Sequence, residues 1–257
     1  MIQWLLGGGV RSWAAHSFTL LVILVWAAAS AGVPSYLFPD PLTVLRRSLE
    51  FFANAKLGAH VLASLTHVTL SLAAAFVLGG ALALLAHFVP VTRLMVHGRI
   101  SPFLNAFSSI GWTMLAVLWF GLNAVTVVFA ITAIVLPVCL VNLQAGLENL
   151  DAEMAEMSRS FTRSWPWHFA LVVLPAMLPF MFATLRIGFG VAWKVALTAE
   201  LFGGNSGFGF VVNLARQSFD SAQIFAVIAI IVVIYVLVDN MVLAPIERRL
   251  SRHYADV

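Results

Sequence analysis

The chain has 257 residues, of which 61% are hydrophobic and 10% charged, with a mean hydropathy of +0.98. A soluble domain is roughly a quarter charged, so water is not the solvent for most of this surface. The net charge of +3 and the pI near 9.5 come from cations dispersed along the chain, which fits membrane topology and speaks against nucleic-acid binding.

Apolar runs long enough to cross a hydrocarbon core of ~30 Å fall at 16–34, 61–88, 103–121, 124–146, 176–202 and 222–243. Inside lipid only helices or closed barrels satisfy their own backbone, and these runs lack the polar alternation of barrel strands. The reading is therefore an all-α, polytopic integral membrane protein with about six transmembrane helices. The first run, with Arg11 ahead and Ala27, Ala28, Ala29 and Ala31 near its end, also fits a cleavable signal peptide. Cleavage leaves the orientation of the rest unchanged. The loop from Pro34 to His60 carries Pro39, Asp40 and Pro41, then Leu42 to Phe52 at helical spacing, which predicts a short interfacial helix.

With the N-terminus inside, the inner segments hold Arg11, Arg93, Arg99, Arg159, Arg163, Arg248, Arg249 and Arg252. The outer ones hold Arg46, Arg47, Lys56 and Arg216. The positive-inside rule places both termini in the cytoplasm. The organisation read from this is an N-terminal span with outer loop at 1–60, a core at 61–252 and a tail at 253–257.

Between the fourth and fifth spans lies a polar inner segment, Glu148 to His168. Leu150, Met154, Met157, Phe161 and Trp165 recur there at steps of three or four, one apolar face among Asp151, Glu153, Glu156, Arg159 and Arg163. Such a face suits a protein partner, or membrane lipid at the headgroups.

Here the sequence resembles the inner-membrane permeases of binding-protein-dependent ABC importers, through their EAA loop. That motif has Glu-Ala-Ala, glycine after three residues, and Ile-x-Leu-Pro after nine more. This chain has Glu156, Met157 and Ser158, then Thr162, then Val172, Val173, Leu174 and Pro175, with the spacing met and the alanines and glycine replaced. Trp112, Leu115, Trp119, Phe120 and Gly121 are similar to a signature of the nitrate, taurine, alkanesulfonate and bicarbonate permeases. Leu185, Arg186, Ile187, Gly188, Ala192, Trp193, Lys194, Ala199 and Glu200 resemble the run that follows their Leu-Pro. Asn205 to Phe210 is similar to their last outer turn, and Glu247, Arg248 and Arg249 to their basic tail.

The resemblance implies the transmembrane domain of a type I ABC importer. Two permease copies, as a homodimer in the bacterial inner membrane, would work with a cytoplasmic ABC ATPase dimer and an extracytoplasmic substrate-binding protein. It implies a coupling helix at 153–168, with Glu153, Glu156, Met157, Arg159, Ser160, Phe161, Thr162 and Trp165 meeting the ATPase. It also implies docking of the binding protein at Asn205, Ser206, Gly207 and Arg216, and a translocation path that includes Trp112, Arg186, Lys194 and Glu200.

The chain is read as a transport subunit rather than an enzyme. No Gly-x-x-x-x-Gly-Lys occurs, and Lys56 and Lys194 are the only lysines, so ATP and Mg belong to the partner and this chain binds no cofactor. There is no His-Glu-x-x-His, and in the sequence from Gly204 to Phe208 phenylalanine stands where Gly-x-Ser-x-Gly requires glycine. Cys139 is the sole cysteine, which excludes an intrachain disulfide. His60 and His67 can share a helical face, but ordinary core positions explain that better than a metal site.

Arg186 and Lys194 each cost ~2.5 to 3.5 kcal/mol at a bilayer centre, which nearly cancels the gain from the apolar residues around them. Arg186 lies ~16 Å along a helix from Pro175. It either lines a path for an anionic solute or pairs with helix carbonyls or a carboxylate such as Asp239. Lys194 either snorkels outward or lines the same path, and Glu200, six residues on, is not its i+4 partner. Gly188 and Gly190 allow close helix approach, for which a dimer seam is one place. An ion-coupled secondary transporter and a membrane scaffold recruiting a soluble partner are the alternative classes; the internal repeats and broken half-helices of the former are not evident.

Overall fold

The computed structural model describes residues 2–149, 167 and 169–245. All regular elements among them are helical: α1 (Ile2–Ser30), α2 (Pro41–Ala53), α3 (Ala55–Phe88), α4 (Pro90–Met95), α5 (Ser101–Ala106), α6 (Ser109–Phe120), α7 (Ala124–Glu148), α8 (Leu174–Gly203), α9 (Phe208–Gln217) and α10 (Ser221–Val238). Wider π turns at Val96–Ile100, Phe169–Val173 and Asp239–Leu243 lead into α5 and α8 and extend α10.

Four of these helices are long and apolar enough to cross a membrane: α3, α7, α8 with its leading π turn, and α10 with its trailing one. The predicted span at 103–121 is corrected to a bent pair, with Pro90–Ala106 and Ser109–Phe120 meeting at 87°. Phe107 leaves the helix at φ −91° and ψ 136°, and the Ser108 hydroxyl accepts the Gly111 N–H at 3.2 Å, so a new helix is capped in the middle of the apolar run. In α1 the apolar stretch is His16–Ser30, shorter than the spanning helices.

The chain divides into two compact units. One contains the described residues up to Gly58 together with Val212–Ile231. In it Trp26 donates from Nε1 to the Pro39 carbonyl at 3.1 Å and packs with Phe38 and Phe225. The interfacial helix predicted in the outer loop is present as α2. Pro41 opens it, and the Asp40 carboxylate accepts the Thr43 N–H at 3.0 Å; hydrogen bonding from the Thr43 side chain first, and from its N–H second, holds the Asp40 carboxyl below its ordinary value.

The other unit contains Ala59–Val211 and the described residues from Val232 onward. Its helix α8 lies along α7, and α6 packs on both. Ala83, Ala86, Leu140, Leu143, Leu147, Val173 and Met177 form a dry core at the end of α3, α7 and α8 near the polar inner segment. Two small residues of α8 face neighbours within this unit. A Cβ on Gly188 would lie 2.8 Å from Leu72 Cδ1, and one on Gly190 3.4 Å from the Tyr235 hydroxyl, both within the same chain.

Candidate functional site

The most constrained polar cluster lies where α3, the C-terminal end of α8 and the N-terminus of α9 meet. Glu200 on α8 is 1% exposed. Its Oε2 accepts the Ser64 hydroxyl at 2.8 Å and the Gly209 N–H at 2.9 Å, and its Oε1 faces His67 Nδ1 at 2.8 Å. Ser64 in turn accepts the Phe208 N–H at 2.8 Å, and His60 Nδ1 accepts the Gly207 N–H at 3.1 Å. Three successive N–H groups at the start of α9 are thus met by side chains of α3 and α8. The positive end of that helix, with the Ser64 and His67 donors, supplies what a buried carboxylate otherwise loses on leaving water.

His60, Ser64 and His67 follow one another at steps of four and three, so α3 presents them on one face. Gly207 sits at φ +100°, and a Cβ there would fall on the Glu200 carboxyl group. The turn from Gly203 to Phe208 therefore closes over Glu200 only because position 207 has no side chain.

Glu200 is accordingly sealed inside this junction. Trp112 is also interior, at 5% exposed. It packs on Phe103, Phe107 and Phe129 and donates from Nε1 to the Leu104 carbonyl at 3.3 Å, so it clamps the break between α5 and α6.

Arg186 meets Asp239 side-on, Nε to Oδ1 at 2.9 Å and Nη2 to Oδ2 at 3.0 Å, with 40% of the arginine side chain and 19% of the aspartate exposed. The π turn that begins at Asp239 carries the carboxylate that compensates this cation. Lys194 differs. It is exposed on α8, ~14 Å before the end of the helix, and no carboxylate among the described residues lies within ion-pair distance.

In the outer turn Asn205 is exposed, Ser206 half-buried and Gly207 buried; Arg216, exposed on α9, donates to Asn213 Oδ1 at 3.2 Å. Glu153, Glu156, Met157, Arg159, Ser160, Phe161, Thr162 and Trp165 lie outside the described residues. Among the described residues no group of three or more His, Cys, Asp or Glu side chains is placed to hold a metal.

Helices long and apolar enough to cross a membrane, with the Arg186–Asp239 pair and the buried Glu200 set within them, define a multi-pass membrane protein. Residues 12–252 match the binding-protein-dependent transport system inner membrane components, and the chain belongs to that family. It is 31% identical over 251 residues to the taurine transport system permease protein TauC of Escherichia coli, covering 93% of this chain and 89% of the relative. It is 29% identical over 234 residues to the putative aliphatic sulfonates transport permease protein SsuC of Bacillus subtilis, covering 90% and 84%. The riboflavin transport system permease protein RibX of Chloroflexus aurantiacus is 29% identical over 228 residues, covering 84% and 81%. The chain is thus an ABC importer permease, a multi-pass inner-membrane subunit without its own catalytic site.

Proposed function

We propose that this chain forms the translocation path for a small anionic solute handed over by an external binding protein. A separate cytoplasmic ATPase dimer drives it through residues 153–168. The complex contains two copies of this chain, and the binding protein docks at Asn205, Ser206, Gly207 and Arg216. The observation that carries the anion is Lys194, a cation within an apolar helix, exposed and without an ion-pair partner among the described residues, eight residues after an Arg186 that Asp239 neutralises. A fixed positive charge on a path lowers the cost of bringing an anion out of water. The sulfonate and taurine relatives are in keeping with this reading, and the riboflavin relative sets the alternative, a neutral solute.

The test is ATP-driven uptake in proteoliposomes. Lys194→Gln lowers anion uptake at least tenfold while Lys194→Arg retains most of it. Normal uptake by Lys194→Gln removes Lys194 from the path, and the anionic reading with it.

A further inference from the structure

The segment that carries residues 153–168 leaves the helices after Glu148 and rejoins them at Phe169, and both ends are rooted in one place. Leu143 and Leu147 at the end of α7 and Val173 and Met177 on the return lie in the same dry core, closed by Ala83 and Ala86 of α3. Gln144 and Glu148 sit one residue on from Leu143 and Leu147, which turns them to a neighbouring face of the same last turn. That face meets α4.

Glu148 Oε1 accepts the Gln144 side-chain amide at 2.7 Å and Arg93 Nη2 at 3.2 Å. The corner that carries Arg93 is itself fixed. Pro90, which has no N–H to continue α3, opens α4, and the Thr92 hydroxyl reaches the Leu85 carbonyl at 3.0 Å and the Val89 carbonyl at 2.7 Å. With Ala86, His87 and Pro90, the side chains of Arg93, Gln144 and Glu148 border a cleft of about 230 Å³. Because 66% of the Arg93 side chain and 50% of the Glu148 side chain are exposed, their ion pair adds little to folding. What it fixes is direction. The dry core grips one face of the last turn of α7 and Arg93 grips the next, so the turn is held against rotation about its own axis.

We propose that Arg93 is a positioning residue for coupling: acting through Glu148, it sets the angle at which α7 delivers the following segment to the ATPase. The inference rests on the coupling reading above and deepens it. A docking segment whose root is already aligned gives up less freedom on binding, so loss of the tie weakens the ATPase contact without unfolding the bundle.

The test is titration of the fluorescently labelled ATPase subunit onto this chain in nanodiscs, beside thermal unfolding of the chain alone. Arg93→Glu and Glu148→Arg each weaken ATPase binding at least fivefold, and the exchange variant that carries both returns to within twofold of wild type. Arg93→Lys, which keeps the charge, stays near wild type. The unfolding midpoints of all four variants match wild type, a readout that a merely structural tie would move. Wild-type affinity in both single variants overturns the inference and leaves the coupling reading standing. An exchange variant as weak as either single one shows that the two residues do not act as a pair, and it overturns the positioning role. Midpoints that fall in step with affinity overturn it as well. A wild-type chain that binds no ATPase overturns the coupling reading itself, and this inference with it.

Discussion

Replacing Glu200 with alanine removes the acceptor for three donors in one step: the Ser64 hydroxyl, the His67 ring and the Gly209 N–H. Each buried polar group left unsatisfied costs about 1–3 kcal/mol. Ser64 and His67 can turn toward other acceptors, whereas the Gly209 N–H is fixed by the start of α9. The total therefore falls near the ~3–5 kcal/mol typical of breaking a buried pair. Glu200→Gln keeps the shape and one carbonyl oxygen and loses the charge, so its cost is about 1–2 kcal/mol. The assay is unfolding of the purified chain in mixed micelles as the fraction of denaturing detergent rises, followed by circular dichroism. Asn205→Ala in the exposed part of the outer turn is the control. An alanine variant within ~0.5 kcal/mol of wild type, the range of a neutral surface change, refutes the view that Glu200 bolts α9 to α3 and α8.

Two further substitutions probe the same physics. Gly207→Ala meets both a positive φ of +100° and the Glu200 carboxyl group, whereas Gly121→Ala meets a φ of +75° with open space around it. The same assay therefore shows a loss at least ~2 kcal/mol larger at 207 than the ~1 kcal/mol of pure conformational strain at 121; equal losses contradict the packing argument. For the intramembrane pair, Asp239→Asn and Arg186→Gln each destabilise, and the double variant recovers part of the loss, a coupling of about 1–2 kcal/mol because Arg186 keeps 40% exposure. Strict additivity in that cycle contradicts a compensating role for Asp239.

The long apolar runs marked α3, α7, α8 and α10 plainly, because length and hydropathy are properties of each segment alone. The break in the third run escaped because averaged hydropathy does not register one extended residue at Phe107, although Ser108 three residues before Gly111 is a local capping signal. Asp239 was legible as a partner of Arg186, since an intramembrane arginine requires one. The junction around Glu200 was not legible, because its partners Ser64 and His67 lie 136 and 133 residues away in the chain. The clue was the shared face of His60 and His67, which the sequence shows, but nothing local states that the N-terminus of α9 and a carboxylate complete it. Gly188 is a site of close approach, as its place in the apolar run suggests, whereas a Cβ at Gly190 would make only ordinary contact; which helix approaches is a tertiary fact.

Reconstitution tests the central claim most directly. This chain, its ATPase and its binding protein in sealed vesicles accumulate solute only while ATP is hydrolysed, and Glu156→Ala in the inner segment uncouples hydrolysis from uptake. Accumulation that follows an ion gradient without ATP contradicts the account.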